Sequence, residues 1–227
     1  VASAGTATVR SVTRRLAERA ESEPGSDFNR LPEGRTIKVT ADDGAALSVT
    51  IAGPERGPCV VLAHGWVNDS TVWAPVARQL VHSGHRVVLY DQRGHGASTF
   101  GSGVRDISRL GADLATVVDE LQLDDAVLVG HSMGGMSVQA ALLGQPALAR
   151  HVRGIVLVST SATMGFFPVP RALVEFALGD RHLAWSRRGR VGSALARGAF
   201  GAHARRAHVR LVRDLLGSVA GDVRVAC

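Results

Sequence analysis

The chain has 227 residues, 45% of them hydrophobic, enough for one domain with a full core or one domain plus a subdomain. No apolar run approaches the ~20 residues of a membrane span, the N-terminus lacks the apolar core of a secretory signal, and two cysteines make no disulfide framework. These features exclude a transmembrane protein and a disulfide scaffold, and a cytoplasmic location is expected. The net charge of +6 is unevenly placed: residues 161–227 hold eleven Arg against four acids, while the preceding part is close to neutral. Such an excess would suit anionic substrates or weak association with a membrane surface, although solvated helix faces are the simpler expectation. Few aromatics and no nucleic-acid-binding motif argue against nucleic acid as a partner.

Residues 1–33 are rich in Ala, Ser, Arg and Glu and read as an N-terminal arm, partly disordered, with a short amphipathic helix around Val12–Ala20. Thr36–Thr40 and Ala46–Ile51 flank a Gly turn and predict a hairpin. Cys59–Ala63 is a continuous apolar run, as expected of a strand buried on both faces, and it ends in His64-Gly65-Trp66. Ser70 then caps a helix to about His82, which Gly84 stops. Arg86–Tyr90 is the next buried strand and runs into the Gly-rich loop Asp91–Ser98.

Asp106 opens a helix with Ile107, Leu110, Leu114, Val117, Val118 and Leu121 at helical spacing. Ala126–Val129 is a strand, Met136–Leu143 is helix-compatible up to Gln145-Pro146, and Ile155–Val158 predicts another buried strand. This alternation predicts an α/β core over residues 34–160 with a mostly parallel, doubly wound sheet. In residues 161–227 the pattern shifts to an apolar loop, Met164–Pro170, and helical pieces, a cap region over the strand ends.

The chemistry centres on Gly130-His131-Ser132-Met133-Gly134, a serine at a strand-to-helix turn. Gly130 and Gly134 are needed because a side chain at either position would collide with the neighbouring strand or helix. The turn lifts the Ser132 hydroxyl out of the sheet and aims the Met133 N–H toward the same point. His64-Gly65-Trp66 and the Asp91–Ser98 loop lie at the carboxyl ends of other strands, where chemistry sits in such sheets. Their convergence carries more than any one motif.

Together, His64-Gly65-Trp66, Tyr90–Ser98 and Gly130–Gly135 resemble the α/β-hydrolase superfamily in order and spacing. The likeness covers about residues 36–160 and is nearest to the small serine esterase and cofactor-free haloperoxidase-like branch. It implies an α/β-hydrolase fold with a helical cap, and a serine hydrolase that cleaves carboxylic esters or related acyl compounds without metal or organic cofactor. Ser132 would be the nucleophile, and the backbone N–H groups of Trp66 and Met133 the oxyanion donors. Trp66, Met133 and Phe166 would line the site of a small acyl substrate, lipid-like ones included; Trp73 fits such a pocket or the core equally. His131, His64, Asp91, Arg93 and His95 are expected to hold structure, His131 because neighbouring strand residues point to opposite faces.

Serine needs a base, and the base an orienting acid. The superfamily places the acid after the next strand beyond Val158 and the histidine after a last strand and loop. Neither is expected within this chain: residues 159–163 hold no carboxylate, and His182, His203 and His208 sit among Arg in the cap. The last strands of the sheet are expected to be missing as well, as in a C-terminally truncated hydrolase whose chain of 227 residues is inactive alone. The alternative is a non-catalytic small-ligand-binding protein of the same fold. Oligomeric state is not readable from these residues.

Overall fold

The N-terminal part folds as the hairpin its alternation demands: β1 (Gly34–Thr40) pairs antiparallel with β2 (Ala46–Ala52), one residue of each opposite the other from Gly34–Ala52 to Thr40–Ala46. The computed structural model describes residues 28–103, 106–162 and 209. The expected arm before residue 28 and nearly all of the expected cap, with Phe166, His182, His203 and His208, lie outside the described residues.

Beyond the hairpin come β3 (Cys59–Ala63), a 3-10 turn (Ser70–Trp73), α1 (Ala74–His82), β4 (Arg86–Tyr90) and α2 (Ile107–Glu120). They are followed by β5 (Ala126–His131), α3 (Met133–Gly144), a second 3-10 turn (Pro146–His151) and β6 (Val152–Val158). The described strands form a sheet in the order β1-β2-β4-β3-β5-β6. β2 meets β4 antiparallel, and β4, β3, β5 and β6 run parallel.

The two-residue period of the strands sorts the core onto two faces. Val60, Leu62, Val87 and Leu89 face one side and pack with Trp73 and Ala77 at α1. Val61, Val88, Tyr90 and Leu128 face the other, with Leu114, Val117 and Val118 of α2 and Val138 and Ala141 of α3. Helices on both faces make the sheet doubly wound, as the alternating pattern predicts.

Two local expectations need correction. Asp69, not Ser70, caps the turn into α1: its carboxylate accepts from the Thr71 N–H at 2.9 Å, while the Ser70 N–H donates to Asp91 at 2.8 Å. The strand read as buried, Ile155–Val158, has these four side chains 38–46% exposed. It lies last in the order of described strands, beside β5 alone. Asp106 behaves as expected, capping α2 through the Arg109 N–H at 2.8 Å.

Candidate active site

Ser132 joins β5 to α3 with φ 52° and ψ −119°, a backbone conformation that L side chains rarely adopt. Holding it costs roughly 1–3 kcal/mol, which the surroundings must supply. They do so from β6 and the segment after it. The Ser132 N–H donates to the Val158 carbonyl at 3.0 Å, and the Thr160 hydroxyl donates to the Ser132 carbonyl at 2.7 Å. The two glycines are required by space. A Cβ on Gly130 would stand 2.4 Å from the Gly134 carbonyl oxygen, and one on Gly134 would stand 2.3 Å from that of Ala63 and 2.5 Å from that of His64.

The same packing brings the end of β3 against the elbow. The place where a Gly65 Cβ would sit is 3.3 Å from Ser132 Cβ and 2.9 Å from His131 Nδ1. Gly65 thus packs against both residues. His131 keeps the alternation of β5, with its ring on the face of Trp73 and Val129, and Ser132 stands beyond the end of that strand. The His131 ring meets Trp73 edge-on at 6.5 Å, burial holds its pKa below the ordinary value, and it makes no hydrogen bond to Ser132 among the described residues.

Residues 65–68 form a tight turn. The Asn68 N–H donates to the Gly65 carbonyl at 3.3 Å, with Val67 at φ 50°. Two buried histidines hold it. His64 Nε2 accepts from the Gln92 N–H at 2.9 Å, so the proton is on Nδ1 and donates to the Gly65 carbonyl at 2.8 Å. His95 Nε2 accepts from the Val67 N–H at 3.3 Å, and its Nδ1–H donates to the Arg93 carbonyl at 3.0 Å. Both rings are neutral: burial pushes His64 down and, with His64 beside it, pushes His95 down to about 4. Because a trans peptide is planar, fixing the Gly65 carbonyl turns the Trp66 N–H the opposite way, out of the turn.

The Asp91–Ser98 loop is fully engaged in holding structure. Asp91 accepts from the N–H groups of Ser70 and Ala97, both at 2.8 Å. Arg93 is 1% exposed, with Nε and Nη2 on the two oxygens of Asp113 at 2.6 Å and Nη1 on Asp43 at 2.8 Å. The Arg93 bond holds the Asp43 carboxyl below its ordinary range, whereas burial raises Asp113 despite the same guanidinium. Asp43 and Asp113, 50 and 20 residues from Arg93, carry no motif that would have announced them. Gln92 and Ser137, whose side chains bond each other at 2.7 Å, are equally silent in the sequence.

The elbow contrasts with this. The Ser132 hydroxyl and the backbone N–H groups of Trp66 and Met133 have no partner among the described residues. Met133 is buried as the first residue of α3, and Trp66 is half-buried. Trp73 packs in the core with Val60, Leu62 and Leu89, which settles the choice between core and pocket. Among the described residues no group of three His, Cys, Asp or Glu is placed to hold a metal ion, and no helix is long and apolar enough to cross a membrane.

Residues 58–192 match the family profile described as alpha/beta hydrolase fold. The chain is 36% identical over 107 residues to 3-oxoadipate enol-lactonase 1 of Acinetobacter baylyi, covering 47% of this chain and 40% of that protein. It is 35% identical over 121 residues to a non-heme chloroperoxidase of Burkholderia pyrrocinia, covering 53% of this chain and 44% of that one. The chain thus aligns with less than half the length of these relatives. Among solved structures, the esterase RhEst1 of Rhodococcus sp. superposes with a TM-score of 0.70 at 24% identity, covering 84% of this chain and 71% of that one. This last likeness speaks for the fold. By the profile match, which spans more than half of its residues, the chain belongs to the α/β-hydrolase family.

Proposed function

We propose that the protein is a serine hydrolase that cleaves carboxylic esters or related acyl compounds through an acyl-enzyme on Ser132. The observation that carries this reading is the strained Ser132, held at φ 52° beside the Gly65–Trp66 turn, with no hydrogen-bond partner for its hydroxyl among the described residues. Energy is spent to hold one hydroxyl clear of its surroundings. That cost has a chemical rationale if the oxygen attacks a substrate.

In this reading Ser132 Oγ attacks the acyl carbon while its proton passes to a general base. The carbonyl electron pair moves onto oxygen, and the N–H groups of Trp66 and Met133 stabilise the oxyanion. The tetrahedral adduct collapses, the C–O bond to the leaving alcohol breaks, and the base returns the proton to that oxygen. Water then repeats the sequence on the acyl-enzyme and frees the acid. The base is a histidine oriented by a carboxylate, drawn from outside the described residues. His64 and His95 are unsuited to the role, since each ring bonds the Gly65–Asn68 turn through one nitrogen and the Asp91–Ser98 loop through the other.

The likeness to an enol-lactonase supports acyl chemistry, and we assign this chain no narrower substrate. Hydrolysis of p-nitrophenyl acetate by the native protein tests the reading. Activity that falls by about 10⁴-fold or more in Ser132→Ala is expected. Activity that survives the substitution would remove Ser132 from the mechanism.

A further inference from the structure

The elbow and the Gly65–Trp66 turn belong to separate strands, yet an oxyanion site needs their two N–H groups at a fixed separation. Gln92 spans the gap. Its side-chain Nε2 donates to the His64 carbonyl at the end of β3, and its Oε1 accepts from the Ser137 hydroxyl on α3 at 2.7 Å. Its backbone N–H also sets the His64 ring by donating to Nε2 at 2.9 Å. Ser137 lies 3.0 Å from the Met133 carbonyl, one turn before it on α3. All three residues are buried: His64 and Ser137 at 0% exposure, Gln92 at 1%.

We infer that Gln92, with Ser137, is a positioning residue that fixes the separation of the Trp66 and Met133 N–H groups. The inference rests on the acyl-transfer reading above. One end of the Gln92 amide governs the peptide leading into Gly65 and Trp66. The other grips the first turn of the helix that starts at Met133. Gly134 leaves room for the His64 carbonyl against α3, and the amide fixes how closely the two approach. A buried amide satisfied at both ends tolerates little displacement, because each lost bond strands a polar group. Nothing in this chain of bonds touches the reacting atoms, so its effect is on transition-state geometry rather than on substrate affinity.

The test compares Gln92→Met, Ser137→Ala, Ser137→Thr and Gln92→Glu in the native protein, with p-nitrophenyl acetate as substrate. Gln92→Met is expected to lower kcat by about 10- to 100-fold with KM moved less than about 3-fold. Ser137→Ala should lower kcat in the same way but less, and Ser137→Thr should restore it. The double variant Gln92→Met/Ser137→Ala should be no worse than Gln92→Met alone, since both cut one network.

Gln92→Glu gives the signature a merely structural role would lack. Only its protonated form can both donate to the His64 carbonyl and accept from Ser137. The ratio of its kcat to that of the wild type should rise as pH falls from about 8 to about 6, because both enzymes share the neutral histidine base and only the variant gains from protonation at position 92. If Gln92→Met does not fold, the two Ser137 variants decide. Unchanged kcat in the folded variants, losses confined to KM, or independent multiplication of the losses would overturn the inference while leaving an active wild type. A wild type without hydrolysis would instead overturn the acyl-transfer reading.

Discussion

The Asp91–Ser98 loop and the Gly130–Gly135 elbow stand at the carboxyl ends of strands in one sheet, and they use their polar groups in opposite ways. The loop carries the side chains that look catalytic by type, Asp91, Arg93 and His95, and each is engaged with neighbours. The elbow carries one plain serine, and it leaves that hydroxyl and the Met133 N–H without a partner among the described residues. Reactivity is therefore expected where groups are held free under strain. Residue type alone would have favoured the loop.

The sharpest way to break this contrast is to remove the centre of the loop. Arg93→Met leaves Asp113 buried with only Arg109, 3.9 Å away, as counter-charge, and a loss of about 3 kcal/mol in unfolding free energy is expected by denaturant titration. A variant as stable as the wild type would show that the ion cluster is dispensable.

Acid titration comes next. His95 is held at about 4 against an ordinary value of 6.5, so the unfolded chain binds a proton between these values that the folded chain does not. Its contribution to stability is present above about pH 6.5 and is lost as pH falls toward 4, by on the order of 3 kcal/mol. Thermal melting should show this fall, and His95→Asn should make it shallower, the remainder coming from His64 and His131, which burial also pushes down. An equally steep fall in that variant would place the acid sensitivity elsewhere.

On the elbow side, Gly134→Ala puts a methyl group against the carbonyl oxygens of Ala63 and His64. A loss of about 1–3 kcal/mol is expected, together with a fall in hydrolysis as α3 shifts away from β3. Wild-type melting and activity would mean that the elbow yields more readily than its contacts imply.

Much of this was legible in the residues. The hairpin and the helix capped by Asp106 follow from two- and 3.6-residue periods, and β3, β4 and β5 from short continuous apolar runs between turn residues. The glycine requirement at Gly130 and Gly134 was legible because the motif dictates close approach. What was not legible depends on where a strand lies and on pairs far apart in sequence. Ile155–Val158 reads as a buried strand on its apolar run, while its exposure depends on what lies beside β6. The bonds from Gln92 to Ser137 and from Arg93 to Asp43 cross 45 and 50 residues and follow no local pattern.

The most direct test of Ser132 as an activated nucleophile is labelling of the native protein with a fluorophosphonate, read by peptide mass spectrometry. A single adduct on the peptide that carries Ser132, lost in Ser132→Ala, is the predicted result. An unlabelled Ser132 in folded protein, or labelling that persists in the variant, would contradict the account and return the elbow to a structural or ligand-binding role.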